Sequence, residues 1–205
     1  MTKSKTYLAS HSRASMITYR VFRSLVCWFT QAITRLHIDG RENLPPTGAY
    51  VLAPVNRSYI DTPIVGCVST RRIRFMGKQE MWKYPRLGWL FSALGAFPVN
   101  RGTADREALS RCIAVLEGGE PLVLFPEGER SWDGSLKENG EPGVGMIVVK
   151  AKVPVVPVRL FGPEKVLPRG VKRPSRHVMS LVVGDTLDFS ELIESGELKG
   201  KELYG

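Results

Sequence analysis

The run Pro121-Leu122-Val123-Leu124-Phe125-Pro126 carries no polar side chain. A strand that leaves one face to water alternates apolar and polar residues. A strand apolar on both faces must be covered on both, which is the habit of internal strands in largely parallel sheets. Other short apolar runs follow the same habit: Tyr50 to Val55, Ile73 to Met76, Ala96 to Val99, Val153 to Val158 and Val178 to Val183. Prolines interrupt Val153 to Val158, which predicts an edge strand or a sharp bend where it begins.

Helical patterns lie between these runs. Thr103 to Gly118 places Ala108, Leu109, Cys112, Ile113 and Leu116 on one face, with Asp105 and Glu107 in the first turn, where they oppose the helix dipole. Gly118 and Gly119 stop it. Thr62 to Ser69, Tyr84 to Leu94, Val144 to Ala151 and a segment starting at Phe189 read as further helices, and His37 to Pro46 as a short strand and turn. Strands alternating with helices predict an α/β fold, a mixed and mostly parallel sheet flanked by helices. No internal repeat or linker divides residues 37–205.

The first 11 residues are polar. From Arg13 to Leu36 the pattern is helical, with Phe22, Leu25, Val26, Phe29, Ile33 and Leu36 recurring at spacings of three and four. Arg13, Arg20, Ser24, Gln31 and Arg35 fall largely on another face. Residues 1–36 are therefore read as a tail and a basic amphipathic helix. Such a helix either lies in a membrane interface with its arginines at lipid phosphates or packs its stripe on the domain; the stripe is wide enough for both. No stretch is long and apolar enough to span a bilayer, so contact with a membrane is expected from one side, at its cytoplasmic face. Trp82, Trp89 and Phe91 are further candidates for membrane contact, with core packing as the competing role.

A net charge of +9 favours an anionic partner. An anionic membrane surface and a phosphorylated substrate both qualify; nucleic acid is not expected, because no recognition helix or aromatic RNA-binding motif accompanies the charge. Cys27, Cys67 and Cys112 form no close-spaced pair. They predict buried free thiols rather than a disulfide framework or zinc site, and a reducing compartment.

Four segments sit at or beside strand ends, where α/β sheets gather their ligands. They are Val55-Asn56-Arg57-Ser58-Tyr59-Ile60-Asp61-Thr62-Pro63, Gly95-Ala96-Phe97-Pro98-Val99-Asn100-Arg101, Phe125-Pro126-Glu127-Gly128-Glu129-Arg130-Ser131, and Val153 to Val158. By themselves they offer acids, arginines and turn glycines suited to an anionic substrate, without naming a reaction.

In this order and at these separations the four segments resemble the motifs of the glycerolipid acyltransferase family, which includes the 1-acylglycerol-3-phosphate acyltransferases. The resemblance runs from about Gly40 to Gly184. It implies that family's fold and the transfer of a fatty acyl group from acyl-CoA or acyl carrier protein to a hydroxyl of lysophosphatidic acid or glycerol-3-phosphate. No other cofactor is implied. A histidine acts as general base on the acceptor hydroxyl, and an aspartate five residues on holds its tautomer and stabilises its charged form.

Carried over by position, Asp61 matches that aspartate, and Asn56 stands where the histidine belongs. Arg101 matches an acceptor-phosphate ligand. Glu127, Gly128 and Arg130 match the third motif, which shapes the acceptor site, and Glu127 with Arg130 also reads as a structural ion pair. Lys78, near a predicted strand end, joins them as a phosphate partner. Pro157 matches the fourth-motif proline, and Glu129 replaces the usual threonine. An amide accepts no proton near neutral pH, so the chain with Asn56 is expected to be inactive. A histidine replaced to trap the enzyme and a natural lipid-binding pseudoenzyme both account for Asn56; the surviving Asp61 favours the first.

Overall fold

In the computed structural model the described residues are 13–58, 60–99, 106–128, 140–167, 171 and 173–196. A seven-stranded sheet has the order β1-β7-β6-β2-β5-β3-β4. Its strands are β1 (Leu36–Asp39), β2 (Val51–Pro54), β3 (Arg74–Lys78), β4 (Ala96–Val99), β5 (Leu122–Val123), β6 (Val155–Phe161) and β7 (Met179–Val183). From β6 to β4 all neighbours run parallel. β7 turns antiparallel to β6, and β1 runs parallel to β7. The sheet is mixed and mostly parallel, as the apolar runs require.

Helices α1 (Arg13–Thr34), α2 (Asp61–Val65), α3 (Pro85–Ala93), α4 (Arg106–Glu117), α5 (Pro142–Ala151), α6 (Pro163–Val166) and α7 (Ser190–Ser195) connect or cover the strands. Proline opens α3 and α5, where its missing N–H has no intrahelical partner to lose. Successive strand residues enter two cores. Tyr50, Leu52 and Val123 pack in one with Ile64, Val156 and Leu160. Val51, Leu122 and Leu124 pack in the other with Phe97, Cys112, Leu116 and Ile147. The run from Pro121 is thus apolar throughout because β5 has a core on each side.

Two expectations are revised and a third is resolved. β6 is interior, between β7 and β2, rather than an edge. It tolerates Pro157 because the pairing slips by one residue between Val155↔Leu187 and Val158↔Val183. The bulge leaves Pro157 to accept from the Gly184 N–H without being asked to donate. Second, Cys27 of α1 and Cys67, just after α2, form a disulfide with Cα atoms 5.5 Å apart; Cys112 alone is a buried free thiol. Their separation of 40 residues hid the pair from a search for close spacing.

Third, α1 divides its wide apolar stripe. Ile33 and Cys27 pack against the core, whereas Leu25, Trp28 and Phe29 stay exposed, Trp28 at 71%. The inward side includes Tyr19, Thr30 and Thr34. Thr34 satisfies its hydroxyl on the Thr30 carbonyl at 2.7 Å. Tyr19 accepts from the Ile73 N–H at 3.2 Å, at the amino end of β3. No helix among the described residues is long and apolar enough to cross a membrane.

Candidate active site

The first motif and the described parts of the second and third lie at the carboxyl edge of the parallel strands. β2 ends at Pro54, and the chain leaves it through Val55, Asn56, Arg57 and Ser58 before α2 begins at Asp61. This loop is organised by Asp61 itself. The Asp61 Oδ2 accepts the backbone N–H of Arg57 at 2.5 Å and of Ser58 at 2.6 Å. A carboxylate bonded to the amides just before its own helix fixes the turn that leads into it. The Ser58 hydroxyl donates to the Leu167 carbonyl at 3.2 Å and ties the same turn to the chain after α6.

Asp61 is fully buried. Burial lifts its pKa from the ordinary 3.8 to about 6, against the pull of its two backbone hydrogen bonds and of the Arg57 guanidinium; Glu164 on α6 adds to the rise. Its second oxygen, Oδ1, is sealed from solvent and has no hydrogen-bond partner among the described residues. No hydrogen bond joins it to the Asn56 carboxamide. A buried acceptor without a donor is unfavourable by about 1–3 kcal/mol, which sets Oδ1 apart from Oδ2.

Glu127 comes from the turn after β5 and is 6% exposed. Its Oε2 accepts the Asn56 backbone N–H at 3.2 Å. The third motif therefore holds the backbone of the first, a contact the sequence reading did not anticipate. Gly128 follows with φ +68°, and a Cβ there would collide with the Glu141 side chain. Glycine is the residue that adopts this turn without strain.

Lys78 is exposed at the end of β3, opposite Val99 of β4, so it shares the edge with Asn56 and Glu127. Arg101 and Arg130 lie outside the described residues, and with them the expected Glu127–Arg130 pair.

Arg57 was not singled out from sequence. It is partly buried, its charge acts on Asp61, and its Nε is buried without a hydrogen-bond partner among the described residues. Its position between the motif's two reactive places was the available signal. The edge thus carries two cations, Lys78 and Arg57, and the Asn56 amide as a donor or acceptor. Among the described residues it brings no imidazole to take a proton.

Comparison with known proteins bears on this arrangement. The Acyltransferase family model matches residues 35–160. The chain is 31% identical over 139 residues to a chloroplastic 1-acyl-sn-glycerol-3-phosphate acyltransferase of Arabidopsis thaliana, covering 66% of this chain and 38% of that protein. It is 29% identical over 160 residues to the 1-acyl-sn-glycerol-3-phosphate acyltransferase of Bacillus subtilis, covering 76% of each. This chain spans well under half the length of the plant and algal relatives it matches, between 38% and 44%. The crystal structure of the 1-acyl-sn-glycerophosphate acyltransferase from Thermotoga maritima superposes with a TM-score of 0.75 at 22% identity, over 95% of this chain and 86% of that one.

Proposed function

Because this chain belongs to the acyltransferase family, we propose that its site is built to move a fatty acyl group from acyl-CoA or acyl carrier protein to a hydroxyl of lysophosphatidic acid or glycerol-3-phosphate, and that Asn56 leaves it without the base. The relatives named 1-acyl-sn-glycerol-3-phosphate acyltransferases support the acceptor class. The Oδ1 of Asp61, buried without a hydrogen-bond partner among the described residues, carries the reading. With histidine at position 56, Oδ1 would accept one imidazole N–H and leave the other nitrogen free to take the acceptor's proton. The resulting oxygen nucleophile attacks the thioester carbonyl, and the carrier leaves as its thiol. Glu127 serves by holding the backbone of residue 56 in register. Arg57 and Lys78, with Arg101 and Arg130, supply cations for the acceptor phosphate, to which arginine can give two parallel hydrogen bonds.

Asn56→His tests this directly. Acyl transfer from acyl-CoA to lysophosphatidic acid should rise about 10²- to 10⁴-fold. No gain in a folded protein would favour the other reading, a lipid-binding protein without turnover.

The same reading places the chain on a membrane surface by α1. Ile17, Val21, Leu25, Trp28 and Phe29 are all more than half exposed. Trp89 of α3, 60% exposed, extends the patch through its edge-on contact with Phe22 at 5.9 Å. Trp82 and Phe91 instead pack on each other, with ring centroids 5.8 Å apart. Leu25→Glu with Trp28→Glu should lower vesicle binding at least about tenfold, since each buried apolar side chain contributes roughly 1.5–3 kcal/mol. Unchanged binding would move the contact away from α1.

A further inference from the structure

The amino edge of the parallel strands, opposite the catalytic motifs, carries a cleft of about 680 Å³ between α1 and the segments that lead into β3 and β5. Arg20, Arg23 and Ser24 form its α1 wall, and Thr70, Arg71 and Arg72 its floor. The one carboxylate among the described lining residues, Glu120, is held by Arg74 at 2.6 Å. Arg23 donates to the Gly66 and Cys67 carbonyls at 3.1 Å, and Arg71 to the Pro45 and Gly119 carbonyls at 3.3 and 2.9 Å. Carbonyls fix these guanidinium groups without neutralising them. Arg72 lies over the Tyr19 ring at 5.5 Å. Its pKa is lowered, first by burial and then by the nearby charge of Arg74, so positive charge is crowded here.

The cleft borders an apolar strip of the same helix. Arg20 and Ser24 also line a shallow, open depression on the outer face of α1, together with the exposed apolar side chains Val21, Leu25 and Trp28. A cationic cleft that borders an apolar strip has the polarity of an amphiphile. From this we propose a second lipid site, distinct from the catalytic edge: the phosphate of an anionic phospholipid sits in the cleft, and an acyl chain lies along Val21, Leu25 and Trp28. It shares α1 with the membrane reading but requires neither catalysis nor the residues of the carboxyl edge around Asn56. The apolar strip sets the lipid apart from free phosphate as occupant.

The test is flotation of the full chain with phosphatidylcholine vesicles, with and without phosphatidate. Arg20→Gln and Thr70→Asp change exposed positions and spare the partnered arginines. Each should cost about fivefold of the binding gained from phosphatidate, since a basic residue near an anionic surface contributes on the order of 1 kcal/mol. Binding to phosphatidylcholine alone and thermal melting should be unchanged. Lys150→Gln on α5 controls for overall charge and should lose no more than about twofold. Inorganic phosphate at millimolar concentration should not release the protein. An equal loss in Lys150→Gln would reduce the effect to diffuse surface charge, and release by phosphate would make the occupant a free anion; either overturns the proposal. Failure of the membrane reading is separable, because it appears as unchanged binding to neutral vesicles in the Leu25 and Trp28 variants, whereas failure of the phosphate site appears in the phosphatidate-dependent binding of the Arg20 and Thr70 variants.

Discussion

Arg74, at the amino end of β3, and Asp61, beyond the carboxyl end of β2, are both sealed from solvent, at 1% and 0% exposure. Arg74 ends on Glu120, with Nε and Nη2 donating to the same carboxylate oxygen at 2.7 and 2.6 Å. Asp61 satisfies one oxygen on backbone amides and leaves the other bare. A buried charge is tolerable when paired and hydrogen-bonded and unfavourable otherwise. The arginine has the environment of a structural group. The aspartate is half-satisfied and its pKa is raised, and such groups are found disproportionately at functional sites.

The sharpest way to break this contrast is at the carboxyl edge. In the Asn56→His protein, adding Asp61→Asn should remove most of the restored acyl transfer, about 10²-fold or more, because base and orienter act as a unit. At the amino edge, Glu120→Ala should leave Arg74 buried without its counter-ion and lower the unfolding free energy by about 3 kcal/mol in denaturant titration. If Glu120→Ala proves harmless, the two edges differ less than their geometry implies.

The next effect has the opposite sign. Because the folded pKa of Asp61 is raised, the native state holds that proton up to about pH 6 while the unfolded chain releases it near 3.8. Stability is therefore greatest below the unfolded value and falls as pH climbs through this window. Asp61→Asn in the chain as it stands should be more stable by about 3 kcal/mol at pH 8, with the gain vanishing below pH 4. A melt showing no pH-dependent difference would mean that Asp61 has found the partner it lacks. The smallest effect belongs to Lys78. Exposed and flexible, Lys78→Ala in the histidine-restored protein should raise KM for the phosphorylated acceptor by about fivefold with kcat nearly unchanged.

Much of this was legible in the residues. Doubly apolar runs such as Leu122 to Phe125 specified a covered sheet, and motif order located Asp61 and Glu127 at its carboxyl edge. What escaped were contacts between segments far apart in sequence. The link from Glu127 to the Asn56 amide spans two strands of the sheet. Pro157 is accommodated in interior β6 by a bulge between Val183 and Leu187 that periodicity does not encode. The division of the α1 stripe was half visible: spacing showed a wide apolar face, but only the neighbouring elements decide which part of it is covered.

The Cys27–Cys67 bond gives the α1 patch a fixed relation to the chemistry. It joins the middle of α1 to the residues just after α2, and Asp61 opens α2. The rise of so short a helix is about 8 Å. If α1 settles into a bilayer, the crosslink keeps it from swinging away while the domain hovers at a variable height. The loop that Asp61 organises then rides at a set altitude above the lipid headgroups, fixed by the crosslink together with the packing of Tyr19 and Ile33.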